Sequence, residues 1–191
     1  MRRLMVSVVS VFAAALVCVS SASAEILDAS TVTCQKMLDV AALKPVSKTD
    51  EESQSKLGVM LIWMQGYQAP SEHGTAVDLK TIMTNIDRIV EKCTAQPNLG
   101  LMTVSQKLWD EDDALPTTAV DLSTITCESM MTSKDDDRAS MLIWLLGYNA
   151  FVAEDPTFDL DALGETVTSI ATYCTENPTM GLVTASNKAG E

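Results

Sequence analysis

One ten-residue stretch occurs twice in this chain. Met60 to Ala69 reads MLIWMQGYQA and Met141 to Ala150 reads MLIWLLGYNA, with seven of the ten positions identical. Each copy precedes a cysteine at the same distance, Cys93 and Cys174, and the alignment runs without a gap from Met60 to Lys107 against Met141 to Lys188. The length difference lies upstream: Cys34 to Trp63 spans 29 positions and Cys127 to Trp144 spans 17. Repeat one therefore carries extra residues before its central helix, where an insertion is cheap, since doubling a flexible loop costs only about 0.6 kcal/mol. Two copies are too few for a solenoid. They predict a tandem duplication of a small domain, each copy with its own core.

The first 24 residues read as a secretory signal peptide. Arg2 and Arg3 form a basic start, Val8 to Val19 is apolar apart from Ser10, and Ser21-Ala22-Ser23-Ala24 places small residues at the cleavage site. The apolar run is too short for a membrane span. Val17 before Cys18 is bulkier than a lipidation site takes, so no membrane anchor is expected. Export to the periplasm with cleavage after Ala24 follows.

The 191-residue chain has 13 Lys and Arg against 26 Asp and Glu, a net charge of −13. Loss of Arg2 and Arg3 with the leader makes the mature balance −15. Such acidity excludes nucleic acid and anionic membrane surfaces as partners, because both need a basic footprint. Four cysteines remain: Cys34, Cys93, Cys127 and Cys174. An even number in a small exported chain reads as a disulfide framework. Three pairings are open by count alone. The duplication favours one bond inside each repeat, Cys34–Cys93 and Cys127–Cys174.

Periodicity then assigns the elements. Glu25 to Val32 reads as a loose leader, Gln35 to Leu38 as one helical turn, and Ala41 to Glu52 as loop. From Ser53 to Gln68, Leu57, Met60, Leu61 and Met64 recur at the spacing of one buried helical face. Ile62, Trp63 and Tyr67 widen it, which predicts a central, largely buried helix. Asp78 is an N-cap for a second helix ending near Cys93. Leu101 to Trp109 reads as a short last helix. Asp110-Glu111-Asp112-Asp113 and Pro116 mark an acidic linker. Repeat two follows suit, with Ser133 to Asp137 as a charged loop, Met141 to Phe151 as its central helix and Asp159 as the matching cap. The expected fold is all-α: two tandem small helical domains, each with one intradomain disulfide. The boundaries are 25–108 for repeat one, 109–123 for the linker and 124–191 for repeat two.

These motifs resemble the HdeA/HdeB family of small exported acid-stress chaperones. The residues that carry the likeness are Thr33-Cys34-Gln35-Lys36-Met37-Leu38-Asp39, Trp63-x-x-Gly66-Tyr67, and Cys93-x-x-x-Pro97 leading to Leu101. In repeat two they are Thr126-Cys127-Glu128-Ser129-Met130, Trp144-x-x-Gly147-Tyr148 and Tyr173-Cys174-x-x-Asn177-Pro178. The resemblance implies a small all-α domain in which one disulfide ties the first turn to the end of a long helix. It also implies function by loss of structure: in acid the protein opens and holds acid-denatured periplasmic proteins without ATP or any other cofactor. Family members of this kind are single domains that form homodimers, whereas two copies are fused here. If the repeats pack like such a dimer, they form an intramolecular pseudo-dimer.

Composition suits an acid response. Protonating the carboxylates would swing the mature chain from −15 to about +13, and a cationic chain repels itself. Trp63, Tyr67, Trp144 and Tyr148, with Met60, Met64 and Met141, lie on apolar helices and read as core at neutral pH. On the chaperone reading the same side chains become client-binding surface after opening. An enzyme is not indicated. His73 is the one histidine, beside Gly74, and reads as solvated. The aspartate runs lack the alternating oxygens and glycine of a calcium loop, and no metal site is expected. The competing function is an exported binding protein, such as an immunity-type inhibitor, acting on one partner at neutral pH.

Overall fold

The computed structural model describes residues 26–42, 47–69, 74–111 and 117–189. The expected signal peptide, His73 and the Asp112–Asp113 and Pro116 part of the acidic run lie outside these residues. Helices make up most of the described residues. Repeat one contributes α1 (Cys34–Ala41), α2 (Lys48–Tyr67), α3 (Leu79–Ala95) and α4 (Leu101–Glu111). Repeat two contributes their counterparts α5 (Cys127–Met131), α6 (Asp135–Val152), α7 (Leu160–Glu176) and α8 (Leu182–Ala189).

The first helix of each repeat is anchored the same way down to single bonds. Thr33 caps α1 by accepting from Lys36 N at 3.3 Å, and Thr126 caps α5 by accepting from Ser129 N at 3.3 Å. Cys34 N donates to Leu99 O at 2.9 Å, and Cys127 N donates to Met180 O at 2.8 Å. Disulfides Cys34–Cys93 and Cys127–Cys174 then tie the first helix of each repeat to the end of its third. The all-α class and both intradomain bonds are those the duplication favours. Asp78 and Asp159 cap α3 and α7 through side-chain bonds to backbone N–H groups, the first at 2.7 Å to Thr81 N.

Several local expectations are corrected. α2 starts at Lys48, inside the span read as loop, because Ser47 and Asp50 form a capping box. α6 starts at Asp135, inside the second expected loop. Three aspartates fill its first turn, where the helix dipole favours negative charge. α1 has two turns rather than one. α4 runs on past Trp109 to Glu111, whose carboxylate meets Lys92 at 2.7 Å and Arg88 at 3.3 Å.

The larger difference concerns the segments read as leader and linker. Ile26–Asp28 is a strand, β1, followed by a 3-10 turn at Ala29–Thr31. It pairs antiparallel with β4 (Thr157–Asp159) of repeat two, with Leu27 opposite Phe158. In the same manner β3 (Val120–Asp121), just before repeat two, pairs with β2 (Ala76–Val77) of repeat one. Each repeat thus lends its entry strand to the other. The buried apolar residues of both repeats accordingly form one continuous cluster rather than two separate cores.

Candidate functional site at the seam between the repeats

The central helices α2 and α6 pack against each other, and their approach is set by two glycines. A Cβ built on Gly66 would stand 1.9 Å from Trp144 O, and one built on Gly147 would stand 1.9 Å from Trp63 O. Each glycine faces the backbone carbonyl three residues before its partner, so the contact is reciprocal. Only a residue without a side chain lets two helix backbones come this close. A glycine in such a helix can serve either close contact or a helix end. Gly147 lies inside α6, five residues before its end at Val152, and it is contact that both serve.

The expected binding side chains flank this crossing. Met60, Trp63 and Met64 of α2 are buried, as are Met141 and Trp144 of α6. Tyr67 and Tyr148 are half-buried. Trp63 stacks on Tyr67 at 5.3 Å and Trp144 on Tyr148 at 5.9 Å. Trp63 also meets Phe158 of β4 at 5.5 Å, so the first tryptophan is covered by the other repeat's strand. Burial and the neighbouring carboxylates Asp155, Glu154 and Asp28 push the Tyr67 phenol up from its usual range. In this closed form the apolar groups hide one another.

Carboxylates pin the β2–β3 end of the seam. Thr75 donates its hydroxyl to Asp121 at 2.6 Å, and Thr118 donates to Asp78. Both bonds join repeat one to the segment that leads into repeat two. Leu122 N also donates to Thr75 O at 3.0 Å. The Thr118 hydroxyl holds the Asp78 carboxyl below the usual range, against the opposing effect of burial and with help from Thr81 N–H. The Thr75 hydroxyl, then Ser123, does the same for Asp121. At the β1–β4 end, Pro156 stands where the duplication would place a match for Thr75, and a proline has no hydroxyl to give. Asp28 there accepts from Ser30 of its own turn. Asp155 is held low by the Thr157 hydroxyl, likewise a bond within one repeat.

Sequence reasoning missed both strand pairs and the Thr–Asp clasp; of the clasp's four residues it marked Asp78 alone, and only as a helix cap. A signal was present. Asp28-Ala-Ser-Thr-Val-Thr-Cys34 and Asp121-Leu-Ser-Thr-Ile-Thr-Cys127 are one motif used twice, so neither stretch is a featureless lead-in. In both copies the aspartate caps the following 3-10 turn. Among the described residues, no helix is long and apolar enough to cross a membrane.

A family model described as HdeA, HdeA/HdeB family, matches the chain twice, over residues 5–103 and 110–184. The two matches take in one repeat each and together cover most of the chain. No curated protein and no solved structure matches it.

Proposed function

The chain belongs to the HdeA/HdeB family, which is associated with acid-stress chaperones of the periplasm, and we propose on that premise that it is an ATP-independent holdase that opens in acid. Exported to the periplasm after loss of residues 1–24, it would part its two repeats at low pH. Acid-denatured proteins would then bind the apolar faces of α2 and α6, through Trp63, Met60, Met64, Trp144 and Met141, with Tyr67 and Tyr148 beside them.

One observation carries this reading. The buried apolar side chains around the α2–α6 crossing are sealed by the opposite repeat, while both disulfides lie within repeats and neither crosses the seam. The seam can therefore open with every covalent bond intact. Fully burying one large apolar side chain is worth about 1.5–3 kcal/mol, so the closed form needs a strong counter-force to expose several of them. Protonation supplies it in the right direction. Asp78 and Asp121 have folded pKa values below their unfolded ones. Their stabilisation is present above the unfolded pKa of about 3.9 and is lost as pH falls through the folded value. The growing positive charge of the whole chain adds repulsion across the same window. Thiolate is scarce in acid, so thiol exchange is slow and the disulfides persist, limiting how far each repeat expands.

The test is an aggregation assay on acid-sensitive client enzymes. Suppression between about pH 2 and 4 that vanishes near neutral pH is the expected result. A chain that stays compact and silent to a hydrophobic dye throughout that range does not have this function.

A further inference from the structure

The two strand pairs of the seam are counterparts in the duplication, yet they are held together by different chemistry. β2–β3 matches only Ala76–Val77 with Val120–Asp121, and Val120 is 43% exposed. Carboxylates supply two further bonds there: Thr118 donates to Asp78, and Thr75 donates to Asp121 at 2.6 Å. β1–β4 matches three residues with three, Ile26–Asp28 with Thr157–Asp159. Phe158 is 2% exposed and its ring meets Trp63 at 5.5 Å. The carboxylates of that end bond within their own turns, Asp28 to Ser30 and Asp155 to Thr157. One end thus leans on ionised acids, and the other on backbone pairing and an aromatic contact.

We infer that the β2–β3 pair is a latch released by acid and the β1–β4 pair is the hinge, so that the seam opens from one end with Trp63 still under Phe158. This rests on the acid opening proposed above and says where it begins. Asp78 is faced by the Thr118 and Thr81 hydroxyls and by the Thr81 and Lys80 backbone N–H groups. Asp121 is faced by the Thr75 and Ser123 hydroxyls and by Ser123 N–H. None of these donors titrates in acid, so the carboxylate is the group that changes. A hydrogen bond to an ionised acceptor is about twice as strong as a neutral one. Each latch bond therefore weakens as its carboxyl takes up a proton, which happens as pH falls through the lowered folded values. The hinge responds in the opposite sense. Asp28 of repeat one and Glu154 and Asp155 of repeat two all press on the Tyr67 phenol. These like charges repel across the pair near neutral pH, and protonation removes that repulsion. The Asp155–Thr157 bond also weakens in acid, and so does the Asp159 cap on Asp161 N and Ala162 N, but both lie within repeat two and hold nothing of repeat one. The Phe158–Trp63 contact and the backbone pairing carry no titrating charge.

Two pairs of spin labels, equivalent in the duplication, test the order of opening. Lys80→Cys with Thr124→Cys reports on the latch, and Asp161→Cys with Thr31→Cys reports on the hinge. All four positions are exposed, and Thr31 and Thr124 donate alike to Asp28 O and Asp121 O, so each pair gives up the same bond. The four native cysteines are at most 1% exposed and disulfide-bonded, so the oxidised mature chain is labelled without a reductant. Distances are read by pulsed electron paramagnetic resonance on samples frozen from neutral pH down to about pH 2, below the carboxylate range. The latch pair should lengthen at a higher pH than the hinge pair. In Thr75→Val with Thr118→Val, which removes both latch donors, the latch pair should show long distances already at neutral pH while the hinge pair keeps those of the parent. If both pairs lengthen at one pH, or the hinge pair lengthens first, the hinge is overturned and the acid holdase stands. A hinge pair that lengthens at neutral pH in the double valine variant overturns it too. If neither pair lengthens in acid, the hinge and the acid opening fall together.

Discussion

Substituting alanine for Gly66 tests the seam directly. The new Cβ would lie 1.9 Å from Trp144 O and 3.1 Å from Tyr148 N. Both are backbone atoms of α6, so no side-chain rotation can relieve the clash. The helices must part by more than about 1 Å, and a gap of that size forfeits a quarter to a half of each dispersion contact across it. Seam residues such as Met64, Trp144 and Leu145 are fully buried and would all lose contact. Overpacking of this kind costs about 1–3 kcal/mol, and more where the neighbour is backbone. Alanine returns up to about 1 kcal/mol through its helix propensity. The net expectation is a loss of about 2 kcal/mol, read as a lower urea midpoint in tryptophan fluorescence at neutral pH. The less stable seam should also open at a higher pH than in the parent. Gly147→Ala should behave alike. The double variant should cost less than the two losses added, because helices already parted by the first methyl accept the second. Gly164→Ala is the internal control. It lies in α7 with open space around it and should gain about 0.5–1 kcal/mol. If Gly66→Ala proves as stable as Gly164→Ala, the close backbone approach is wrong, and the seam with it.

Three further outcomes are expected. The linked repeats face each other at an effective concentration of about millimolar, so opening is unimolecular; the pH midpoint of tryptophan fluorescence should stay fixed over a hundredfold range of protein concentration, and a moving midpoint refutes the intramolecular switch. Thr75→Val keeps the shape of the side chain but removes the donor to Asp121, which is solvent-exposed. It should cost about 0.5–1 kcal/mol at neutral pH, and the difference should narrow as pH falls below about 4 and on through the lowered folded pKa of Asp121; urea titrations at neutral pH and below that value check the sign. Gln65 is wholly buried with its Oε1 unpartnered, while its Nε2 donates to Ile82 O at 3.0 Å. Repeat two has Leu146 at the matching position. Gln65→Leu should therefore stabilise the chain by about 1 kcal/mol and lower its opening pH, as measured by urea and acid titration.

What the residues decided alone is whatever a short window can contain. The doubled MLIW segment fixed the duplication, the i, i+3, i+4 spacing around Met60 fixed a buried helix, and Asp78 and Asp159 marked helix starts, because periodicity and capping act within a few residues. The even cysteine count with the duplication pointed to the two bonds that form. Tertiary structure decided the rest. Whether Ile26–Asp28 is a loose lead-in or a strand depends on Thr157–Asp159 at the far end of the chain, and no local pattern records that pairing. The same holds for the Thr75–Asp121 clasp and for the Gly66 and Gly147 crossing. A glycine in a helix reads the same whether its missing side chain faces water, as near Gly164, or another helix's carbonyl. Only the packing of two distant helices makes its absence necessary.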